Sequence, residues 1–258
     1  MRDDYYEDSH GNKIIGPHKK SKFVFSGFNS FVRIGKNVNL HDNSFYIHND
    51  VEIEIGDGCT ISNCEWNVNG AHIDIGNKCR IYNSKWMLRS KSYVKLGDGG
   101  RYSKGEMKTD DYGQIIIGRN VTISTRYWIV ANAYTKITIG GDVMCSRNVI
   151  IRGNDGHAIF DVHTGMNINS TEEISKKRKV VIGNHVWIGA NAIILYNSEI
   201  CDGSIIGAGS LVKSRIPNNC IAAGIPAQVI RKDIVWSRQG CGDQLMEHEQ
   251  VYARLTEI

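Results

Sequence analysis

Aliphatic and small residues recur along this chain at a nearly constant spacing. A five-residue phrase of an aliphatic residue, Gly, two variable residues and a small residue begins at Ile34, Ile55, Ile75, Leu96, Ile117, Ile139 and Ile182. Its first residues are 21, 20, 21, 21, 22 and 43 positions apart. The last step is about twice the others, which indicates one further repeat together with an insertion near residues 155–179.

From Ile182 onward the spacing tightens to six residues. Aliphatic residues stand at Ile182, Ile188, Ile194, Ile200, Ile206 and Val212. A period of six fits neither an α-helix, at about 3.6, nor a plain alternating strand, at about 2. It predicts an all-β solenoid, in which short strands joined by tight turns each point one aliphatic side chain toward the axis. The Gly, Asn and Asp residues that follow suit the left-handed backbone of such turns.

The fifth position of the phrase faces inward in this interpretation. Cys59 and Cys79 stand there in place of valine, which predicts that both are buried core thiols.

The two ends of the chain differ from the repeat. Residues 1–22 are polar and are expected to cover the first coil or to stay mobile. The solenoid is expected over residues 23–232, followed by a helical extension over residues 233–258. Stacked repeats need such caps because an open coil exposes strand edges. The apolar residues near one face of this predicted helix are Leu245, Val251, Tyr252 and Leu255.

Composition narrows the class of protein. The chain has 258 residues, enough for one large domain, and its net charge of +4 is too small to suggest nucleic acid. Seven cysteines without CxxC pairs indicate reduced thiols and a cytoplasmic protein. The polar start gives no signal peptide, and no apolar run approaches the roughly 20 residues of a membrane span.

Two segments carry the most specific signal in the chain, "VIGNHVWIGANAIIL" and "SIIGAGSLVKSRIPNNCIAAGIPAQVIRK". Together they resemble the C-terminal signature of the hexapeptide-repeat acetyltransferases, and the resemblance extends over about residues 30–232. It implies a left-handed parallel β-helix with a long inserted loop and a short C-terminal helix. The handedness comes from the family alone, because chain physics by itself favours right-handed crossovers.

The resemblance also implies a donor and a place for it. The donor is acetyl-CoA, with no metal, and backbone amides near Ala190 and Ala208 are expected to bind its pantetheine arm. These two alanines are eighteen residues apart and should stack on successive coils. Basic candidates for the CoA phosphates are Lys213, Arg215, Arg231 and Lys232. The family often has Thr-Lys-Asp where this chain has Lys213, Ser214 and Arg215, so the phosphate contacts are expected to differ.

His157 is the candidate catalytic residue. The segment "DGHAIFD" resembles the catalytic-histidine segment of surface-polysaccharide O-acetyltransferases, and it stands where the repeat is interrupted. Imidazole suits general-base removal of a hydroxyl proton near neutral pH. Asp155 and Asp161 are candidates to orient the ring, although a backbone carbonyl would serve equally. By resemblance to the polysialic acid branch, Trp187 is expected to line the active site.

The resemblance further implies a glycan acceptor and a homotrimer with active sites between subunits. The basic run Lys176–Lys179 ends the insertion, and a basic loop there would attract an anionic glycan. The predicted function is therefore acetyl-CoA-dependent O-acetylation of a capsular or other surface polysaccharide, or of its sugar precursor.

Other functions remain open from the sequence. Antibiotic-inactivating acetyltransferases share the fold and the histidine. A zinc enzyme like the γ-carbonic anhydrases would need three imidazoles on one metal, for which His157, His163 and His185 are candidates. An ice-binding surface would need a regular array of Thr, which this sequence lacks.

Overall fold

Short β-strands dominate the computed structural model, which describes residues 4–239 and 242–257. The first ten strands are β1 (Tyr5–Glu7), β2 (Lys13–Ile15), β3 (Ser21–Phe25), β4 (Phe31–Ile34), β5 (Asn39–His41), β6 (Asn43–Ile47), β7 (Glu52–Ile55), β8 (Thr60–Ser62), β9 (Glu65–Val68) and β10 (His72–Ile75). The next eleven are β11 (Arg80–Tyr82), β12 (Lys85–Leu88), β13 (Tyr93–Leu96), β14 (Arg101–Ser103), β15 (Glu106–Thr109), β16 (Gln114–Ile117), β17 (Thr122–Ile123), β18 (Trp128–Ala131), β19 (Lys136–Ile139), β20 (Met144–Cys145) and β21 (Ile150–Arg152).

The chain then forms its insertion and its tightest coils. Helix α1 (Glu172–Lys177) lies between β21 and the remaining strands. Those strands are β22 (Lys179–Ile182), β23 (Trp187–Ile188), β24 (Ile193–Ile194), β25 (Glu199–Ile200), β26 (Ile205–Ile206), β27 (Leu211–Val212), β28 (Arg215–Ile216), β29 (Ile221–Gly224) and β30 (Ala227–Arg231). A 3₁₀-helix at Glu247–Tyr252 follows.

The described strands form three sheets that run the length of a parallel β-helix. We call the eleven-stranded sheet that contains β4 sheet 1, the ten-stranded sheet that contains β5 sheet 2, and the nine-stranded sheet that contains β6 sheet 3. Each full coil passes from sheet 1 to sheet 2 to sheet 3 and returns to sheet 1. Neighbouring strands within a sheet are therefore successive coils, about 4.8 Å apart.

The recurring Ile-Gly pair marks a corner where successive coils touch. A methyl group added to Gly118 would lie 2.6 Å from the carbonyl carbon of Gly140, closer than real side chains approach. Glycine is therefore required there by the spacing of the coils. Asn and Asp make up most of the non-glycine residues with positive φ among the described residues, as their tolerance of left-handed backbone predicts.

The core is a stack of side chains that repeats from coil to coil. Phe45, Trp66 and Trp86 stand on adjacent strands of sheet 3, with ring centroids 4.8 and 4.4 Å apart, and all three are buried. Cys59 and Cys79 are also fully buried, which confirms their prediction as core residues.

Both ends differ from the prediction. The N-terminal segment is part of the solenoid, because β2 extends sheet 1 in parallel with β4 and β1 adds to it antiparallel. Within the described residues 233–239 and 242–257, the expected helical extension is limited to the short 3₁₀-helix at Glu247–Tyr252. Its expected apolar face does not pack as a whole, because Val251 and Leu255 are exposed.

Side-chain amides hold this C-terminal segment in place of an apolar helical face. Asn219 donates to the carbonyls of Ile234 and Tyr252, and Asn218 donates to that of Leu255. A segment held through its backbone needs no hydrophobic periodicity, which is why the pattern was misleading.

Candidate active site

The insertion interrupts the solenoid where sheet 3 passes to sheet 1, between β21 and β22. Its tip is a short hairpin in which Ile168 N–H donates to Ile159 O at 2.9 Å. Asp161 Oδ1 caps the turn by accepting from the backbone N–H groups of His163 and Thr164. Hydrogen bonds from Thr164 lower the pKa of Asp161. The carboxylate of Asp161 therefore shapes the loop and does not contact His157.

His157 lies exposed at the start of this loop, and one buried residue holds the backbone from His157 to Ile159. Asn169 donates from Nδ2 to His157 O at 2.8 Å and accepts at Oδ1 from Ile159 N–H at 2.7 Å. Only 4% of Asn169 is exposed. Sequence reasoning missed Asn169, because nothing in the pattern distinguishes it from the other polar residues of the loop.

Asp155 anchors the base of the loop. Its Oδ2 accepts from Asn169 Nδ2 at 2.9 Å and from Arg178 Nη1 at 3.3 Å. Arg178 is almost buried, and its guanidinium stacks 4.0 Å from the ring centroid of Tyr196. Burial opposes ionisation, but the hydrogen bonds from Asn169 and Tyr196 and the charge of Arg178 outweigh it and lower the pKa of Asp155.

Neither predicted carboxylate contacts the His157 ring. Among the residues described, the imidazole has no hydrogen-bond partner. Asp155 instead reaches the backbone of His157 through Asn169, so in this chain its influence on the ring is indirect.

The basic run at the end of the insertion is largely neutralised within the chain. Lys176 pairs with Glu172 and Lys177 with Glu173, each four residues apart on α1. Arg178 is committed to Asp155. This segment therefore presents less free positive charge than its sequence suggests.

Trp187 lies on sheet 2, at the start of β23. It is 36% exposed, and its ring centroid is 6.0 Å from that of Trp236. The loop that carries His157 leaves the corner between sheets 3 and 1, which in a three-sided coil is opposite sheet 2. One chain therefore does not bring His157 and Trp187 together.

Two of the predicted donor-binding residues stack as expected. Ala190 and Ala208 occupy the corner between sheets 2 and 3 on successive coils. The two coils are joined there by a 2.8 Å hydrogen bond from Gly209 N–H to Ala190 O. A methyl group added to Gly209 would meet nothing within 4 Å. The residues present fit a narrow thiol arm along this corner, since among the described residues no side chain covers Gly209.

The predicted phosphate ligands do not form one cluster within the chain. Lys213 follows β27 at the corner between sheets 3 and 1, whereas Arg215 is on sheet 1 and pairs with Glu199 at 3.8 Å. Arg231 ends β30 on sheet 2, opposite Ile221, and Lys232 follows it. All four are exposed.

His185, one of the candidate zinc ligands, has a structural role. It is fully buried, with Nδ1 2.6 Å from Asp142 Oδ2 and Nε2 2.8 Å from Trp236 O. The rings of Trp236 and Tyr252 stack on its two faces, with centroids 4.2 and 4.3 Å away. Both nitrogens are thus occupied. In the described ranges no three His, Cys, Asp or Glu side chains are grouped as metal ligands.

Comparisons with known proteins agree with this architecture. The family model "Bacterial transferase hexapeptide (six repeats)" matches residues 179–214. A polysialic acid O-acetyltransferase of Escherichia coli O1:K1 / APEC is 34% identical over 60% of this chain and 49% of its own length. The putative lipopolysaccharide biosynthesis O-acetyl transferase WbbJ of Escherichia coli K12 is 28% identical over 56% of this chain and 74% of its own length.

The structural match is more extensive. The crystal structure of NeuO, described as a polySia-specific acetyltransferase, superposes with a TM-score of 0.68 and 26% identity, over 93% of this chain and 90% of that one. The alignment with the polysialic acid relative spans about half of that relative's length. The predicted left-handed parallel β-helix is confirmed by the fold match.

Residues 179–214 match the hexapeptide-repeat transferase model, and the chain resembles the polySia-specific acetyltransferase NeuO over most of its length. The chain is therefore similar to hexapeptide-repeat acetyltransferases, among them O-acetyltransferases of surface polysaccharides. Within the described residues, no helix is both long and apolar enough to span a membrane.

Proposed function

We propose that this protein transfers an acetyl group from acetyl-CoA to a hydroxyl of a surface polysaccharide or its sugar precursor. The observation that carries the proposal is the exposed imidazole of His157 on the interrupting loop, with its backbone fixed by buried Asn169. The names of the relatives support the reaction class and a glycan as acceptor.

His157 acts as the general base. Bound acetyl-CoA would supply an already activated thioester carbonyl. A ring nitrogen of His157 takes the proton of the acceptor hydroxyl as its oxygen attacks that carbonyl, and the same proton can neutralise the departing thiolate. A positioned base of this kind typically contributes about 10²–10⁴-fold to the rate. Asn169 and Asp155 are positioning residues, because they hold the backbone that carries the ring.

The donor is proposed to lie along the corner of Ala190 and Ala208. Their backbone groups would hold the pantetheine arm, and small side chains keep the corner open. Lys213, Arg215, Arg231 and Lys232 are proposed phosphate contacts. They lie on different corners, so a complete set would draw on more than one subunit.

The assembly is proposed to be a homotrimer with the active site between neighbours. His157 of one subunit would face Trp187 of the next, since one chain places them on opposite sides of the coil. Members of this family are commonly trimers, which supports the proposal. We also propose a cytoplasmic location, which the reduced, buried thiols of Cys59 and Cys79 support.

The first test is release of CoA thiol from acetyl-CoA in the presence of purified capsular glycans. Wild type should release thiol with at least one glycan, and His157→Ala should lose about 10²-fold or more of kcat while binding CoA unchanged. His163→Ala is the matched control, since it removes an exposed imidazole from the tip of the same loop and should retain activity. Equal activity of both variants would contradict the assignment of His157.

A second acceptor class is tested in the same experiment. Antibiotics bearing free hydroxyl groups form a parallel panel, because inactivating acetyltransferases share this fold. Thiol release with an antibiotic and with no glycan would replace the proposed acceptor but would leave the role of His157 in place.

A further inference from the structure

The strands of one face of the solenoid lack acidic residues. Strands β8, β11, β14, β17, β20 and β23 of sheet 2 contain no Asp or Glu. The strands of sheets 1 and 3 do carry acidic residues, which pair with lysines, as in Lys95–Asp74 and Lys85–Glu65, and the corner between sheets 1 and 2 carries Asp57, Asp98 and Asp142. Sheet 2 therefore differs in charge from the other two faces.

Several exposed basic residues lie on sheet 2 or its corners, and we call five of them the basic strip. Arg80 and Arg101 are cross-strand neighbours on β11 and β14. In the part of the chain that the structure describes, none of the five takes part in a salt bridge. The basic strip consists of Arg80, Arg101, Lys104, Arg119 and Arg126.

A groove lies within this strip. Its volume is about 530 Å³, and Arg101, Arg119, Thr122 and Arg238 contribute to its lining. Arg238 is partly neutralised by Asp142, but the guanidinium groups of Arg101 and Arg119 are without an ion-pair partner among the described residues. Such a groove attracts a negatively charged ligand and repels a cationic one.

The strip is in line with Trp187. The strand register places Arg80, Arg101, Thr122, Met144 and Trp187 in one row across five successive coils. Four coil spacings of about 4.8 Å separate Arg80 from Trp187, a span of about 19 Å. A single sugar cannot reach from one end of this row to the other, whereas a polymer can.

From this alignment we infer that the acceptor is a polyanionic glycan chain that docks along sheet 2. Its reacting sugar lies near Trp187, and carboxylates several sugars away bind Arg80 and Arg101. The inference rests on the proposed function, because it takes Trp187 to be part of the active site. According to this inference, the acceptor is a polymer and not a single sugar. The residues that dock it belong to the basic strip and not to Lys176–Lys179.

The test compares acceptor chain lengths in a charge-removal variant. The probe is α-linked polysialic acid, as long chains and as the dimer, with acetyl-CoA as donor. Arg80→Gln/Arg101→Gln should raise the KM for long chains about tenfold or more, leave kcat within about twofold, and leave the dimer unaffected, because the dimer cannot reach these arginines. Added salt should raise the long-chain KM of wild type more than that of the variant.

The matched control is Lys20→Gln/Lys22→Gln. It removes the same charge from exposed positions at the start of sheet 3, away from sheet 2, and should keep the wild-type KM. Unchanged melting temperatures would establish that both double variants are folded. A long-chain KM for Arg80→Gln/Arg101→Gln equal to that of wild type would overturn the inference and leave the proposed function intact.

A binding experiment distinguishes the docking inference from the proposed acetyltransferase function. Retention of wild type and variants on immobilised polysialic acid is measured without acetyl-CoA. Loss of retention only in Arg80→Gln/Arg101→Gln, with no acetylation by wild type, would keep the docking face and reject the proposed function. Equal retention of all three proteins, or equal competition by a DNA oligonucleotide, would overturn the docking of a glycan at this strip.

Discussion

His157 could be chosen as the candidate base from the sequence because it stands in a recognisable segment where a regular repeat stops. The residue that fixes its backbone could not. Asn169 is twelve residues away, and the three hydrogen bonds of its side chain depend on how the loop folds back. The same limit applies to Asp155 and Asp161. Their proximity in sequence suggested contact with the ring, but the fold directs both carboxylates to other donors.

Asn169→Ala should separate positioning from binding. The substitution leaves His157 O and Ile159 N–H without their partner, at a local cost of about 1–3 kcal/mol. The loop then holds the imidazole less precisely, so kcat should fall about 10- to 100-fold while the KM for acetyl-CoA stays within about twofold. Steady-state kinetics measure both constants.

Asn67→Ala is the matched control for that substitution. Asn67 is exposed on β9 of sheet 3, and its variant should behave as wild type. A kcat for Asn169→Ala that equals the wild-type value would mean that the loop holds His157 without this amide.

Among the elements, the coils were predictable and the C-terminal segment was not. A coil repeats the same inward positions, so period and residue size specify it. Besides the amides of Asn218 and Asn219, the segment after β30 is held by a cluster in which buried His185 is stacked between Trp236 and Tyr252 and contacts Asp142. Such a cluster has no period, and its members are 16 to 110 positions apart in the sequence.

The cluster predicts an acid-sensitive attachment of the C-terminal segment. Partial burial opposes ionisation of Asp142, but hydrogen bonds from His185 and Arg238 outweigh it and lower the pKa of Asp142. A lowered folded-state pKa stabilises the fold above the ordinary value of about 3.9, and this contribution is lost as pH falls through the folded-state value. The melting temperature of wild type should therefore fall steeply below about pH 4.

Asp142→Asn should remove that dependence. At neutral pH the variant should lose about 2 kcal/mol of unfolding free energy, because Arg238 loses its ion-pair partner and buried His185 loses the hydrogen-bond partner of its Nδ1. Its melting temperature should then change less than that of wild type on acidification. Asp57→Asn, which removes another corner carboxylate, should keep the wild-type profile. Parallel profiles for wild type and Asp142→Asn would contradict this assignment.

At the scale of the whole molecule, the repeat determined the solenoid, but the position of each sheet relative to the site required coordinates. His157 and Trp187 are thirty residues apart in the sequence. The fold places them on opposite sides of the solenoid. The insertion that carries His157 projects from the corner between sheets 3 and 1, whereas Trp187 lies on sheet 2. This arrangement gives a physical reason for an active site completed by a second copy of the chain.

The most direct test of this account is complementation between two inactive variants, His157→Ala and Trp187→Ala. Each should form homotrimers with little thiol-release activity. After unfolding, mixing in equal amounts and refolding together, about one quarter of the sites in a closed ring would combine an intact His157 with a neighbour's intact Trp187, so about a quarter of wild-type activity should return. Trimers that mix but recover no activity would contradict an active site shared between neighbouring subunits.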